Sequence, residues 1–293
     1  MVVIEGGTRL IVVTDLDGSL LDHHTYQWAA ARPALNQLRR LAIPLIFNTS
    51  KTLAETAELQ QTMGVEHPFI VENGAGVVIP VGYFNAVPAG CVRLRAFYVK
   101  AFGPPYGDIR QTLSAMRERE GFRFTGFGDM TGEEVARATG LTPQACQKAK
   151  QRLFSEPLLW HDADAALKSF TSILNKKGLR VTRGGRFVHV TGASDKGQAM
   201  DWLVDCYRRA DSGSLDSGPR PQVMVLGDGN NDIAMLKRAD SAVIIRSPVN
   251  PPPRWPGSEQ AVLTAACGPE GWNAAVQEKL VALSLIESTD RKG

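Results

Sequence analysis

Asp15 and Asp17 stand two residues apart in TDLDGS, directly after the apolar run Leu10–Val13. Thr49 and Ser50 close a second such run, and Asp228 and Asp232, within GDGNND, close a third. In an open parallel α/β sheet, ligands bind in the crevice beyond the carboxyl ends of the strands. Runs that end this way therefore aim hydroxyls and four carboxylates at one place. Four converging carboxylates repel one another unless a cation neutralises them, and hard oxygen donors with no His/Cys cluster nearby favour Mg2+. Lys196, at the start of a helical stretch, adds a fixed ammonium. A divalent cation, an ammonium and hydroxyl donors together suit a phosphoryl group. Neither acidic segment is a calcium loop. Counted from Asp15, Leu20 occupies the position of the obligatory glycine and Tyr26 that of the terminal glutamate; counted from Asp228, Ile233 and Ala239 do.

The elements that must position these residues alternate in type. LIVVTD (Leu10–Asp15) reads as a buried strand, Ala29–Leu41 as a helix, and IPLIFNTS (Ile43–Ser50) as a second strand. Thr52–Met63 is a predicted helix, with Thr52 and Glu55 spaced as a capping box. PFIVENGAG (Pro68–Gly76) is a predicted third strand, so the whole implies right-handed crossovers and a parallel sheet. The pattern returns late: Ser194–Ala210 as helix, Gln222–Asp228 as strand, Asn231–Ala239 as short helix and Asp240–Arg246 as strand. Between Ala210 and Pro221 lies a polar Gly/Ser/Pro loop. Five prolines within Pro248–Pro256 exclude regular structure there. The middle of the chain differs, with helical stretches at Gly107–Glu120 and Thr142–Leu153 and strand-like GLRVTRGG and RFVHVTG. It reads as an α+β unit inserted into the α/β domain. At roughly 150 residues per domain, 293 residues make about two domains. They are a core of residues 1–82 and 193–293 interrupted by an insertion of residues 83–192.

Composition narrows the partners. Apolar residues at 43% and charged residues at 22% exclude a largely disordered chain. No stretch approaches the ~18 uncharged apolar residues of a transmembrane helix, and the acidic start does not read as a secretory signal. A cytoplasmic protein is expected. A net charge of +3 without long basic runs argues against nucleic acid and leaves a small anion as partner. Four widely spaced cysteines without a CxxC pair read as reduced thiols. His189 reads as a structural strand residue. Oligomeric state is not legible.

DLDGS at Asp15–Ser19, a strand ending in Thr49, Lys196, and GDGNND at Gly227–Asp232 together resemble, in order, the four motifs of the haloacid dehalogenase (HAD) superfamily of phosphatases. The insertion resembles that superfamily's large α/β (C2B-type) cap. Within it, GFGDMTGEEVARATGL (Gly126–Leu141), AKQRLFSEP (Ala149–Pro157) and TRGGRFVHV (Thr182–Val190), with NTSKT (Asn48–Thr52) and VENGA (Val71–Ala75), are similar to the mannosyl-3-phosphoglycerate phosphatase family. Leu153 departs from the pattern, which has a glutamate there.

The resemblance implies a HAD-like Rossmannoid parallel core and Mg2+-dependent hydrolysis of mannosyl-3-phosphoglycerate. Glucosyl-3-phosphoglycerate, another sugar phosphate, or a phosphomutase reaction are the alternatives. It implies that Asp15 is the nucleophile and Asp17 the general acid and base. Thr49, Ser50 and Asn231 would hold phosphate, and Lys196 would offset charge. Mg2+ would be bound by Asp15, Asp228 and the backbone carbonyl of Asp17, with Asp232 behind them. For the glycosyl-glycerate, Lys51 and either Arg183 or Arg186 are candidates for the carboxylate, and Gly184 and Gly185 for backbone amides. Glu72 and Asn73 are candidates for sugar hydroxyls, and Arg152, Ser155 and Glu156 are further cap candidates.

Overall fold

The computed structural model describes residues 3–4, 8–184, 186–212 and 219–287. The chain runs through β1 (Val3–Ile4), β2 (Thr8–Thr14), α1 (Arg32–Arg40), β3 (Leu45–Phe47), α2 (Leu53–Met63), β4 (Phe69–Val71), β5 (Gly76–Pro80), β6 (Val92–Leu94) and β7 (Phe97–Ala101). There follow α3 (Tyr106–Glu120), β8 (Phe124–Gly126), α4 (Gly132–Thr139), α5 (Pro143–Ala149), β9 (Ser155–Trp160), α6 (Asp164–Lys176), β10 (Leu179–Gly184) and β11 (Phe187–Gly192). Last come α7 (Lys196–Ser212), β12 (Gln222–Gly227), α8 (Ile233–Leu236), β13 (Ser241–Arg246), β14 (Val262–Cys267) and α9 (Gly268–Ala282). They form two compact units, Met1–Thr49 with Met200–Gly293, and Ser50–Ala199.

The first unit is built on the predicted parallel sheet, with strands β3, β2, β12, β13 and β14 in spatial order and β1 antiparallel against β2. Leu10–Val13 and Val223–Leu226 are at most 2% exposed, as the central strands of a sheet covered on both faces must be. Each such side chain contributes about 1.5–3 kcal/mol on burial. Register sets the chemistry: Thr14 is opposite Leu226, so Asp15 and Asp228 emerge from adjacent strand ends.

Two features of this unit were not foreseen in the sequence. After the proline segment, which carries no helix or strand from Ser247 to Gly257, the chain returns as β14 and α9. The strand extends the parallel sheet beside β13, and the helix buries Trp272, Val276 and Leu280.

The second unit holds two four-stranded sheets in which every pairing is antiparallel, β4-β5-β7-β6 and β10-β11-β9-β8. The predicted third parallel strand is corrected here. Phe69–Val71 turns back through Glu72–Gly74 and pairs antiparallel with β5, because three successive left-handed residues reverse the chain. α2 begins as expected, with Thr52 Oγ1 accepting from the Glu55 amide and Glu55 returning the bond to Thr52 N–H. The helix placed at Thr142–Leu153 ends at Ala149. The chain then turns, and at Leu153 and Phe154 its amides go to Glu72 instead of continuing the helix. Two further helices, α4 and α6, were not anticipated. α4 opens on its own Thr131/Glu134 capping box, and α6 packs Phe170 and Leu174 into the core of β8, β9 and β11. There Phe124, Trp160 and Phe170 lie with ring centroids 5.0–6.2 Å apart.

Candidate active site

In the first unit, Asp15, Asp228 and Asp232 are buried and each offers a carboxylate oxygen within 4.8 Å of the others. β2 and β12 deliver the first two. The tight loop after Asp15 is closed by Gly18 N–H to Leu21 carbonyl (2.9 Å) and Leu21 N–H to Leu16 carbonyl (2.8 Å). Gly18 is required twice over. Its φ is +83°, and a Cβ there would lie 2.6 Å from Asp228 Oδ2. Asp232 shapes the second loop: its Oδ2 accepts from the Asp228 and Gly229 amides, both at 3.0 Å. One oxygen thus holds the loop that carries Asp228. Asp17 is half-buried and lies outside the three-carboxylate group. Thr49 is fully buried at the end of the second strand run, and Asn231 is exposed.

Sequence reasoning missed a support for the strand that ends at Asp15. Trp272 Nε1 donates to Thr14 Oγ1 (2.9 Å), and that hydroxyl donates on to the backbone carbonyl of Asp15 (2.7 Å). The Asp15 amide donates to the Leu226 carbonyl (2.9 Å), so the peptides on both sides of the side chain are fixed.

In the second unit the structure brings together Ser50, Lys51, Glu72, Arg152 and Ser155. Glu72, predicted to reach sugar hydroxyls, is fully buried and differently used. Its Oε1 accepts from Leu153 N–H (2.8 Å), and its Oε2 accepts from Phe154 N–H (3.0 Å) and Ser155 Oγ (2.5 Å). Arg152 donates to the backbone carbonyls of Ala149 (2.9 Å) and Ser50 (3.0 Å). Asn73 and Lys51 are half-buried, and Lys196 is 1% exposed at the first residue of α7. Arg183 and Arg186 are exposed and tied elsewhere, to Asp164 (2.9 Å) and to the Thr139 carbonyl (3.2 Å). Gly185 lies outside the described residues. His189 sits in β11 opposite Thr182 and Pro157, and burial pulls its pKa down to about 4, which keeps it neutral.

The glycines of GFGDM also have a reason. Glu156 is fully buried, and its carboxylate accepts from Arg110 Nη1, Gly128 N–H and Tyr106 OH, each at 2.8 Å. A Cβ on Gly126 would run into Glu156 Oε1, and one on Gly128 would lie 2.6 Å from the Tyr106 hydroxyl. Burial pushes the Glu156 carboxyl up, and burial with the neighbouring Glu156 charge pushes the Tyr106 phenol up. Asp129 takes Arg110 (2.6 Å) and Arg117 (2.7 Å), which outweigh its own desolvation and hold its carboxyl well below the usual range. Glu156, named in the sequence as a substrate candidate, is thus saturated by protein donors.

The sequence profile of the haloacid dehalogenase-like hydrolases matches residues 12–82. Over 273 residues the chain is 36% identical to a glucosyl-3-phosphoglycerate/mannosyl-3-phosphoglycerate phosphatase of Methanococcoides burtonii, spanning 92% of this chain and 96% of that protein. The chain belongs to the mannosyl-3-phosphoglycerate phosphatase family of the HAD superfamily. A phosphatase of the same name in Persephonella marina is 37% identical over 239 residues, 80% of this chain and 84% of its own. Solved structures share the fold at low identity. A HAD-superfamily phosphatase of Bacteroides thetaiotaomicron superposes with a TM-score of 0.64 at 19% identity, covering 97% of this chain and 99% of its own. A haloacid dehalogenase-like hydrolase of B. subtilis gives 0.61 at 16%, covering 92% and 99%. Membership of the family makes the protein a phosphoric monoester hydrolase.

The acidic cluster fits the cation such chemistry calls for. Its donors are three buried carboxylates, all hard oxygen, with no thiolate or imidazole among them. That set suits Mg2+ and not Zn2+. Among the described residues no helix is long and apolar enough to cross a membrane.

Proposed function

We propose that the protein is a Mg2+-dependent phosphatase that hydrolyses mannosyl-3-phosphoglycerate to mannosylglycerate and phosphate, in the cytoplasm and as a step in compatible-solute synthesis. The observation that carries the reading is the identity with dual-named phosphatases over nearly the whole chain, joined to the buried Asp15/Asp228/Asp232 cluster. Because those relatives are named for both epimers, glucosyl-3-phosphoglycerate is proposed as a second substrate. Residues 83–192 act as the cap that reads the glycosyl-glycerate, inserted into a catalytic core of residues 1–82 and 193–293.

On this reading a carboxylate oxygen of Asp15 attacks phosphorus, and the bond from phosphorus to the glycerate oxygen breaks. Asp17 gives its proton to the departing alkoxide. It then takes a proton from the water that attacks the aspartyl-phosphate, which releases inorganic phosphate and restores the Asp15 carboxylate. Asp15, Asp228 and the Asp17 carbonyl would hold Mg2+, with Asp232 fixing the loop behind Asp228. When bound, the cation offsets charge on the phosphoryl oxygens and on Asp15. Thr49, the Ser50 amide and Asn231 hold phosphate oxygens, and the Lys196 ammonium offsets their charge.

The test is phosphate release by the purified protein, with and without Mg2+, across the two glycosyl-3-phosphoglycerates and common sugar phosphates. Mg2+-dependent release from the glycosyl-phosphoglycerates, ahead of simple sugar phosphates, is expected. Faster turnover of another sugar phosphate would overturn the substrate assignment. A product with its phosphate relocated would make the enzyme a mutase.

A further inference from the structure

Glu72, Asn73 and Gly74 hold left-handed backbone in succession, at φ +52°, +60° and +91°. Residues with a side chain keep such a conformation only where the surroundings over-determine it, and such sites gather where function needs a fixed geometry. Here the surroundings form a closed ring of hydrogen bonds within the second unit. The Glu72 amide donates to the Lys51 carbonyl (3.0 Å). The Glu72 carboxylate clasps the 153–155 segment through two amides and the Ser155 hydroxyl. Arg152, at the head of that segment, returns to the Ser50 carbonyl (3.0 Å), beside Lys51. The turn also packs on the start of α7. A Cβ on Gly74 would collide with the Asp195 carbonyl and lie 2.6 Å from Lys196 N.

The ring therefore touches Ser50 and the backbone of Lys196, two residues to which the proposed function gives the phosphate. We propose that the left-handed Glu72–Gly74 turn and Arg152 are positioning residues. They hold the Ser50 amide and the first residue of α7 in one fixed relation, so that both grip the same phosphate. The inference rests on the phosphatase reading and assigns Glu72 and Arg152 no contact with substrate. It accounts for a buried glutamate with three donors and for an arginine spent on backbone carbonyls.

The experiment measures inorganic phosphate binding by calorimetry in the presence of Mg2+, alongside steady-state kinetics, for the full chain and for Arg152→Met, Arg152→Lys and Glu72→Gln. Misplacing groups that act by alignment costs about tenfold to hundredfold. Arg152→Met is expected to weaken phosphate binding by that factor and to raise KM for the glycosyl-phosphoglycerate in parallel. Arg152→Lys should recover part of the loss, and Mg2+ affinity should stay at the wild-type value. Glu72→Gln, which keeps the shape and one acceptor oxygen, should give an intermediate loss, and it carries the test if Arg152→Met does not fold. Phosphate binding equal to wild type in both Arg152→Met and Glu72→Gln would overturn the ring's role. A raised KM with unchanged phosphate binding would overturn it too, by making Arg152 a direct contact for the glycosyl-glycerate. A wild-type protein that binds no phosphate would instead overturn the phosphatase reading itself.

Discussion

Asp15, Asp228 and Asp232 in the first unit, and Glu156 with Asp129 in the second, are two groups of carboxylates, and in each a glycine is too crowded to carry a side chain: Gly18 and Gly227 against Asp228 and Asp232, Gly126 against Glu156. They differ in what they face. The first three converge on one another within 4.8 Å, a repulsion that the proposed cation would offset. Glu156 and Asp129 are matched to donors, two arginines, a tyrosine and two glycine amides, so their charge is offset by the protein itself. Carboxylates packed against glycines thus build the candidate cation site in one place and a strut in the other. What separates them is whether the acids lie beside one another or beside arginines.

Substitutions can break that contrast. The largest effect is expected for Asp15→Asn, which removes the proposed nucleophile: kcat should fall by at least about 10³-fold. In Mg2+-free buffer its melting temperature should equal or exceed that of the wild type, because one of three gathered charges is gone. A fall in stability would show that the cluster is a strut as well. Arg110→Met should do the reverse. It leaves the buried Glu156 carboxylate without its cation, and urea unfolding should show a loss of about 3 kcal/mol. kcat on glycosyl-phosphoglycerates should change little, and a large loss of kcat at unchanged stability would place the Glu156 knot among the reacting groups.

The smallest effect is a pH dependence belonging to the second unit. His67 and His189 have pKa values pulled down by burial to about 4, against 6.5 unfolded. Their contribution is therefore complete above pH 6.5 and is lost as the pH falls toward 4, since unfolding then takes up protons. Between pH 7 and 5.5 each should cost about 1 kcal/mol of stability. Thermal melts of wild type and of His67→Gln at the two pH values check this; an equal drop in both proteins would remove His67 from the account.

The site's two acidic loops were legible because each is local: a β-branched run, an abrupt stop at aspartate, and a glycine within three residues. The capping boxes are local too, which is why the start of α2 was legible from Thr52 and Glu55. Long-range matches were not. Nothing near Glu72 signals that its oxygens go to residues 81–83 positions later, so an acid beside an asparagine was read as a sugar ligand. β4 misled for a related reason. Its three apolar residues look like any buried strand, and only the left-handed turn after it decides that the pairing is antiparallel. The proline segment concealed β14 and α9, because a break in regular structure carries no information about what resumes beyond it.

The bond from Trp272 to Thr14 spans 258 positions of sequence, and β2 pairs with β12 at Gln222–Leu226. The strand that ends at Asp15 meets β3 early but β12 only late in synthesis, whereas the contiguous unit Ser50–Ala199 emerges as a whole before β12. Chains rich in such distant pairings fold slowly, and domains tend to fold as they emerge. During translation the second unit should therefore be complete while β2 still lacks β12 and Trp272, and activity is expected only after α9 has left the ribosome. A ribosome-bound chain stalled before Gly268 would hold every acidic residue of the site and hydrolyse nothing.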